Sequence, residues 1–199
     1  MKYISLSIFF SMLLLTSCTS NEVQKKILVM GKGTIVVTDK KVNMTKGSGY
    51  AEKEIEIREK EATTLSVETD KGKQDIQVPA EAGYYILNLK PDSIAGSIQL
   101  MGKDISNNTV MTQEALKLKI DSLTNLASGK NINFKTNFMV LPNQLLKISS
   151  NTKAQVFGPF RKIPAELEVS DDNKEPEIYK FYLNLEIREL IGRLKKLTY

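Results

Sequence analysis

The chain has 199 residues, of which 41% are hydrophobic and 26% are charged, an ordinary mixture for a globular protein. This length suits one domain or two small ones, with a core that needs no metal or disulfide. The formal charge of +5 is modest and scattered, so it does not predict a nucleic-acid partner. Because histidine is absent, Ser-His-Asp sites, Cys-His sites and the zinc motif of metalloproteases are excluded.

The first 17 residues have the pattern of a signal peptide. Lys2 supplies a positive charge, and the run from Tyr3 to Leu15 is apolar apart from serines. As a helix this run is about 20 Å long, against roughly 30 Å of hydrocarbon in a bilayer, so it is too short to span comfortably. We therefore expect residues 1–17 to be a cleaved leader.

The only cysteine of the chain follows this leader, in the sequence Leu15-Thr16-Ser17-Cys18. The sequence resembles the lipobox of bacterial lipoproteins, in which an aliphatic residue and two small residues precede an obligatory cysteine. The resemblance implies that the Cys18 thiol receives a diacylglycerol, that cleavage occurs before Cys18, and that the new amino group is acylated, for example with palmitate. Because two or more acyl chains anchor a protein stably, we expect Cys18 to be the lipid-attachment site.

Lipidation at Cys18 implies a place in the bacterial cell envelope, with the mature domain outside the cytoplasm. We expect the outer membrane rather than the inner one. Two alternatives stay open: an incidental cysteine in an ordinary secretory signal, and a spanning anchor. Residues 18–26 form a polar tether whose last residues, Lys25 and Lys26, either contact anionic headgroups or form the solvated start of a strand.

Residues 27–105 contain short apolar runs between turn signals. Ile55 and Ile57 alternate with charged residues, and the clearest hairpin turns at Asp70-Lys71-Gly72. This period of two, with one polar face, predicts an antiparallel β-sandwich-like unit of six or seven strands without a helix.

The pattern changes near residue 107, and residues 110–199 are predicted to form a smaller α+β unit. Apolar residues repeat with helical spacing near 112–128 and again near 176–197. The fold class is therefore predicted to be α+β, ending in a long C-terminal helix. That helix is predicted to carry one apolar stripe along its length, formed by Leu183, Ile187, Leu190, Leu194 and Leu197. A second apolar stripe is predicted on the opposite side of its first half, formed by Ile178, Phe181 and Leu185.

Two motifs share some features with known ligand sites. The sequence GKGT at 31–34 lacks the flanking residues of a phosphate-binding loop, and it lacks the third glycine of a dinucleotide site. The acidic sequence DDNKEPE at 171–177 lacks the spacing of a calcium loop, so a loop with a helix cap is favoured over a weak cation site. No metal or cofactor site is predicted.

Two further motifs leave alternatives open. The sequence VFGPF at 156–160 is either an exposed recognition loop or a tight turn whose rings pack inward. The sequences around Ser93 and Ser122, Asp-Ser-Ile and Asp-Ser-Leu, resemble the acceptor of one bacterial O-glycosylation system. Whether either serine is glycosylated stays open.

Two function classes remain. The favoured one is a non-enzymatic lipoprotein that binds or scaffolds other envelope components, held to membrane lipid through Cys18 and contacting envelope proteins or glycans. The alternative is a hydrolase of envelope polymers with a Ser/Lys-type site, although no S-x-x-K signature is present. A serine hydroxyl within hydrogen-bond reach of a lysine amine would favour the hydrolase.

Overall fold

A computed structural model describes residues 22–99, 112–130, 132, 136–164 and 176–198. These residues form two β-sheets and two helices, which confirms the α+β class. The elements are, in chain order, β1 (Lys25–Thr38), β2 (Lys41–Ile57), β3 (Thr63–Thr69), β4 (Gly72–Val78), β5 (Gly83–Asn88), β6 (Ile94–Gln99), α1 (Gln113–Ala127), β7 (Asn137–Val140), β8 (Gln144–Ser149), β9 (Gln155–Phe157), β10 (Ile178–Leu183) and α2 (Asn184–Lys195).

The strand β1 lies inside the larger sheet, which we call sheet A and which has the order β4-β3-β2-β1-β5-β8. Successive side chains of a strand point to opposite faces. Ile27 and Val29 accordingly enter one core cluster, and Leu28 and Met30 enter another. Because both faces of β1 are buried here, its sequence is a continuous apolar run rather than an alternating one.

The long hairpin of β1 and β2 bends sharply in its middle. Lys32 pairs with Tyr50 and Thr34 pairs with Thr45, so β2 carries extra residues at this point. Such a bulge bends a strand and increases its twist. The tip of the hairpin then meets β3, where the Ser66 N–H donates to the Lys40 carbonyl at 2.9 Å. Sheet A therefore curls toward a barrel around its first core cluster.

The second sheet, sheet B, has the order β7-β6-β10-β9 and packs on the outer face of sheet A. Phe138 and Phe181 of sheet B share a core cluster with Tyr84 and Ile86 of β5. Helices α1 and α2 contact each other and cover the other face of sheet B, where Leu123 and Ile187 are buried in a third cluster. The result is a layered order of curled sheet, second sheet and helix pair.

The prediction of wholly antiparallel pairing is wrong for two strand pairs. β1 and β5 are parallel, as are β2 and β3 over a short stretch. The predicted boundary at 105–110 lies outside the described residues. β8, from the predicted second unit, pairs with β5 in sheet A, while the division into two folding units stays a prediction.

The predicted helix over 176–197 is correct only in its second half. Residues 178–183 form β10. Ile, Tyr and Phe favour strands, and the segment pairs with β6 along one edge and with β9 along the other. The helix α2 begins at Asn184 and ends at Lys195. Its apolar stripe is confirmed from Ile187 to Leu194, whereas Leu185 and Leu197 are exposed. The helix predicted near 112–128 is confirmed as α1.

Candidate functional site

Residues Gly158–Arg161, which we call the strap, connect sheet B to the outer face of β2. The buried Lys180 amine on β10 donates to the Gly158 carbonyl at 2.6 Å and to the Arg161 carbonyl at 2.7 Å. From the other side, the Phe160 N–H donates to Oε1 of Glu52 on β2 at 3.1 Å. Charged groups from both sheets thus hold the backbone of the strap in place.

The strap lies close to the Glu52 carboxylate of β2, which occupies the space that a side chain at residue 158 would need. A Cβ atom at Gly158 would lie 2.1 Å from Oε1 of Glu52 and 2.8 Å from Oε2. A side chain at position 158 would therefore force the Glu52 carboxylate to move, which would disturb its hydrogen bond with the Phe160 N–H.

An aromatic pair joins the strap to β2. The rings of Tyr50 and Phe160 are parallel within 5°, with centroids 4.5 Å apart. Tyr50 is 43% exposed, so part of the pair faces solvent. The Lys32 amine lies 6.0 Å from the Tyr50 centroid, and the exposed Arg161 follows Phe160 in the chain. The pair therefore forms an aromatic surface with cations beside it.

Behind this pair lies Lys90, which is 1% exposed. Its amine is 5.0 Å from the Tyr50 centroid and 5.5 Å from the Phe160 centroid. With the two centroids only 4.5 Å apart, these distances place the amine beside the stack and not on its axis. No described residue accepts a hydrogen bond from the amine, although Asp92 and Glu186 act on it electrostatically.

Burial lowers the pKa of both lysines, since the charged form is poorly solvated inside the protein. Asp92 and Glu186 oppose this effect on the pKa of Lys90, and Glu186 and Glu52 oppose it on the pKa of Lys180. The two lysines differ in their partners, because Lys180 donates two hydrogen bonds and Lys90 donates none to a described residue.

Two other buried polar atoms, both acceptors, also lack partners among the described residues. They are Oε2 of Glu52 and Oδ1 of Asn184, the first residue of α2. With the Lys90 amine, they make one donor and two acceptors that are buried and unsatisfied in the described part of the chain. Buried polar groups of this kind are rare in folded proteins and each needs an explanation.

Tyr50 and Lys90 lie at the end of sheet A remote from Lys25. In the parallel ladder, Lys25 pairs with Gly83 and Met30 pairs with Asn88. At about 3.3 Å per residue, the strands carry the Lys90 end roughly 20 Å from Lys25. The aromatic pair therefore lies at the opposite end of sheet A from the point where the chain enters the fold.

At the opposite end, the two lysines of the predicted tether are engaged with protein groups. Lys25 is fully buried and its amine donates to the Glu61 carbonyl at 2.5 Å, while Lys26 pairs with Glu54 and Glu56. Neither of the two predicted environments describes Lys25, which is not solvated and not free to reach a headgroup. Lys26 is an ion-paired residue of β1.

The other predicted site residues have varied outcomes. Cys18 and its lipobox lie outside the described residues, as do Asp171 and Asp172 of the acidic sequence. In VFGPF, Phe157 is buried and Phe160 stacks on Tyr50, which favours the inward-packed turn. Ser93 is partly exposed after β5, and Ser122 is exposed on α1.

The described residues place no serine hydroxyl in hydrogen-bond contact with a lysine amine. The Ser149 hydroxyl, for example, donates to Oε1 of Glu177 at 2.9 Å. In the described part of the chain, no three acidic or cysteine side chains gather to hold a metal ion. Within the same residues, neither helix has the length and apolar character needed to cross a bilayer.

Lys90 and Lys180 do not stand out in the sequence as site residues, because lysine normally lies at the surface. For Lys180 the available signal was the sequence IYKFYL, in which one lysine interrupts a run of strand-forming residues. For Lys90 it was the position two residues after β5, a strand buried along its whole length.

No family model matches the chain, and neither a curated protein nor a solved structure is significantly similar to it.

Proposed function

We propose that this protein is a lipid-anchored lipoprotein of the bacterial cell envelope, and that its mature domain is a non-enzymatic binding or scaffolding module. The anchor is assigned to Cys18 because of the preceding leader and the Leu15-Thr16-Ser17 sequence. Residues 1–17 are then removed, and the acylated Cys18 holds the protein to the membrane, the outer one in preference to the inner.

The observation that carries the binding function is the position of the aromatic pair relative to this anchor. A chain spans at most about 3.6 Å per residue, so Lys25 stays within roughly 25 Å of Cys18. The strands run away from Lys25, and Tyr50 and Phe160 lie at their far end. An anchored domain of this shape holds its aromatic surface away from the lipid, where other envelope components are accessible.

The anchor is tested by replacing the thiol that receives the lipid. Cys18→Ser is expected to release the protein from the membrane fraction or to leave an unprocessed precursor, because a hydroxyl does not accept the thioether-linked diacylglycerol. Ser17→Ala keeps a small residue before Cys18 and is the matched control, expected to be processed and retained. Mass spectrometry of the mature N-terminus should show an acylated Cys18; an unmodified Cys18, or a start elsewhere, contradicts the anchor.

The binding function is tested with the native protein in crosslinked envelopes. We expect the wild type to retain an envelope component, and Tyr50→Ala to lose it at unchanged abundance and unchanged membrane association. Lys53→Ala, at an exposed position of the same strand, is the control and should retain that component. Equal retention by all three proteins would contradict a binding role for the aromatic surface.

A further inference from the structure

We propose that the helix pair binds a second copy of this chain, with α1 of each copy lying along α2 of the other. The interface is two-fold symmetric, so each contact between α1 and the α2 of the other copy occurs twice. This inference goes beyond the proposed function and does not depend on it. It rests on a groove, an exposed leucine and the charges beside them, all on the face of the helices that is turned away from sheet B.

The two helices lie side by side and run in opposite directions. They share a core cluster against sheet B, and the Gln113 side chain at the start of α1 donates to the Leu197 carbonyl, just after the end of α2, at 3.3 Å. A helix rises about 1.5 Å per residue. Leu118 follows Gln113 by five residues and Gly192 precedes Leu197 by five residues, so Leu118 and Gly192 are at the same height along the pair.

The face that each helix turns away from sheet B is exposed, and we call the two faces together the outer face. Its residues follow helical spacing and lie opposite the buried positions, such as Leu123 and Ile187. The outer face consists of Glu114, Leu118 and Asp121 on α1, and of Leu185, Glu189, Gly192 and Lys196 on α2.

Gly192 lies in a groove on the outer face. The groove has a volume of about 460 Å³ and is lined by Glu189, Gly192, Arg193 and Lys196. A Cβ atom at Gly192 would meet no atom within 4 Å beyond its own turn of helix, so the described residues do not explain a glycine at this position. Glycine inside a helix is destabilising relative to alanine. Close approach of a second molecule accounts for its presence here.

The side chain that fills the groove is Leu118 of the second copy. Leu118 is 70% exposed, more than any other large hydrophobic side chain of the described residues. A two-fold axis parallel to the helices places α1 of one copy over α2 of the other without a change of height. Each Leu118 then lies over Gly192 of the other copy, and the contact buries apolar surface that a single copy exposes to water.

Charges beside the groove fit the same arrangement. Glu114 is one turn before Leu118, and Lys196 is one turn after Gly192. The two-fold axis therefore brings each Glu114 to Lys196 of the other copy, where the two form an ion pair. Within one copy, neither side chain has an ion pair with a described residue.

The contact is expected to be weak. The helices are about 22 Å and 18 Å long and about 10 Å wide, so the outer face covers roughly 400 Å² on each copy. A total near 800 Å² is at the low end of specific interfaces and is typical of transient complexes. Asp121 is also level with Glu189 of the other copy, a repulsion that Arg193, one turn after Glu189, reduces. We expect dissociation constants in the micromolar range.

The test is light scattering of the full-length protein in excess detergent, over roughly 10 µM to 1 mM chain. The wild type is expected to change with concentration from the mass of one chain to that of two. Glu114→Lys alone and Lys196→Glu alone should stay monomeric, because each brings like charges together at both contacts. An equimolar mixture of these two variants should form the dimer, since both contacts then join opposite charges. Lys119→Glu reverses a charge on α1 about 100° around the helix from Leu118 and should dimerise as the wild type does.

Gly192→Gln fills the groove and should be monomeric. Its folding is expected to be intact, because the added side chain has open space and favours a helix, and circular dichroism checks this. A wild type that stays monomeric over the whole range overturns the inference. A mixture of the two charge-reversed variants that stays monomeric also overturns it, as does a Gly192→Gln dimer of wild-type strength. Anchoring and envelope capture are measured on other variants, so failure here leaves the proposed function untouched.

Discussion

Lys180 and Lys90 are both buried lysines beside the strap, but only Lys180 has described hydrogen-bond acceptors, the carbonyls of Gly158 and Arg161. Removing a partner of a buried hydrogen bond costs stability, because the group left behind stays unsatisfied. Replacing an unpaired buried charge by an apolar side chain of similar volume is often neutral or stabilising. We therefore expect the same substitution to change the free energy of unfolding in opposite directions at the two positions.

We expect Lys180→Met to lower the free energy of unfolding by about 2–3 kcal/mol, since two strap carbonyls lose a charged donor. Lys90→Met is expected to leave the free energy of unfolding unchanged or to raise it by about 1–2 kcal/mol. Urea denaturation of both variants measures the difference. Equal losses at the two positions would show that the Lys90 amine has a strong partner in the folded protein.

The apolar stripe of α2 predicts a graded response to a buried charge. Ile187 is fully buried, Leu190 is partly buried, and Leu185 is 65% exposed. We expect Ile187→Asp to destabilise the fold by about 4 kcal/mol or more and Leu190→Asp by about 2–3 kcal/mol, with Leu185→Asp within about 0.5 kcal/mol of the wild type. Thermal midpoints of the three variants give the order. An unchanged midpoint for Leu190→Asp would place this part of the stripe at an exposed surface.

The bend in the β1–β2 hairpin depends on Gly33. Gly33 and Gly72 both have a φ of +119°, which L side chains rarely adopt. The two positions differ in the space around them. A Cβ atom at Gly33 would lie 1.9 Å from the Thr45 carbonyl oxygen, whereas a Cβ atom at Gly72 would have no surrounding atom within 4 Å. We expect Gly72→Ala to cost about 1–2 kcal/mol through backbone strain alone and Gly33→Ala to cost about 3 kcal/mol or more. Denaturant midpoints compare the two; equal costs would show that the bend absorbs the added methyl group.

Alkaline stability depends on Tyr84. Burial raises the pKa of Tyr84 above its usual value of 10.0, and Glu54, which accepts the hydrogen bond of its hydroxyl, raises the pKa further. Above pH 10 the unfolded chain therefore releases a proton that the folded chain keeps. The free energy of unfolding then falls by about 1.4 kcal/mol per pH unit for this group.

Tyr179, whose pKa burial also raises, adds to this loss of stability. Burial lowers the pKa of Lys90 and of Lys180, so these two groups make the free energy of unfolding rise with pH. Their effect ends at the usual lysine pKa of 10.5, because above that pH the unfolded chain also loses these protons. Above pH 10.5 we expect the free energy of unfolding of Tyr84→Phe to fall less steeply with pH than that of the wild type, by about 1.4 kcal/mol per pH unit. Urea denaturation at several pH values measures this slope. A slope equal to that of the wild type would mean that Tyr84 ionises in the folded protein.

Local features of this fold could be predicted from the sequence. The β3–β4 hairpin is confirmed, with Leu65 opposite Ile76 and a turn at Asp70 and Lys71, because turn residues and alternation lie within a few positions of each other. The helix α1 is confirmed for the same reason. Both elements follow from spacing within one short segment.

Features that depend on distant segments could not be predicted in this way. The parallel pairing of β1 with β5 joins strands far apart in the chain, and no local pattern encodes it. The leucine and isoleucine spacing near the C-terminus fits a helix from 176 onward, yet β6 and β9 make residues 178–183 a strand. The burial of Lys90 and Lys180 likewise depends on the strap and on α2, which cover them only in the folded protein.

The position of β1 has a mechanical consequence. The chain enters the fold at Lys25, whose strand is flanked by β2 on one side and β5 on the other. A force applied through the preceding residues must slide β1 past both neighbours at once, so that many hydrogen bonds share the load. An edge strand would instead be peeled off one bond at a time. The fold therefore resists extraction by a force applied through the residues that precede Lys25.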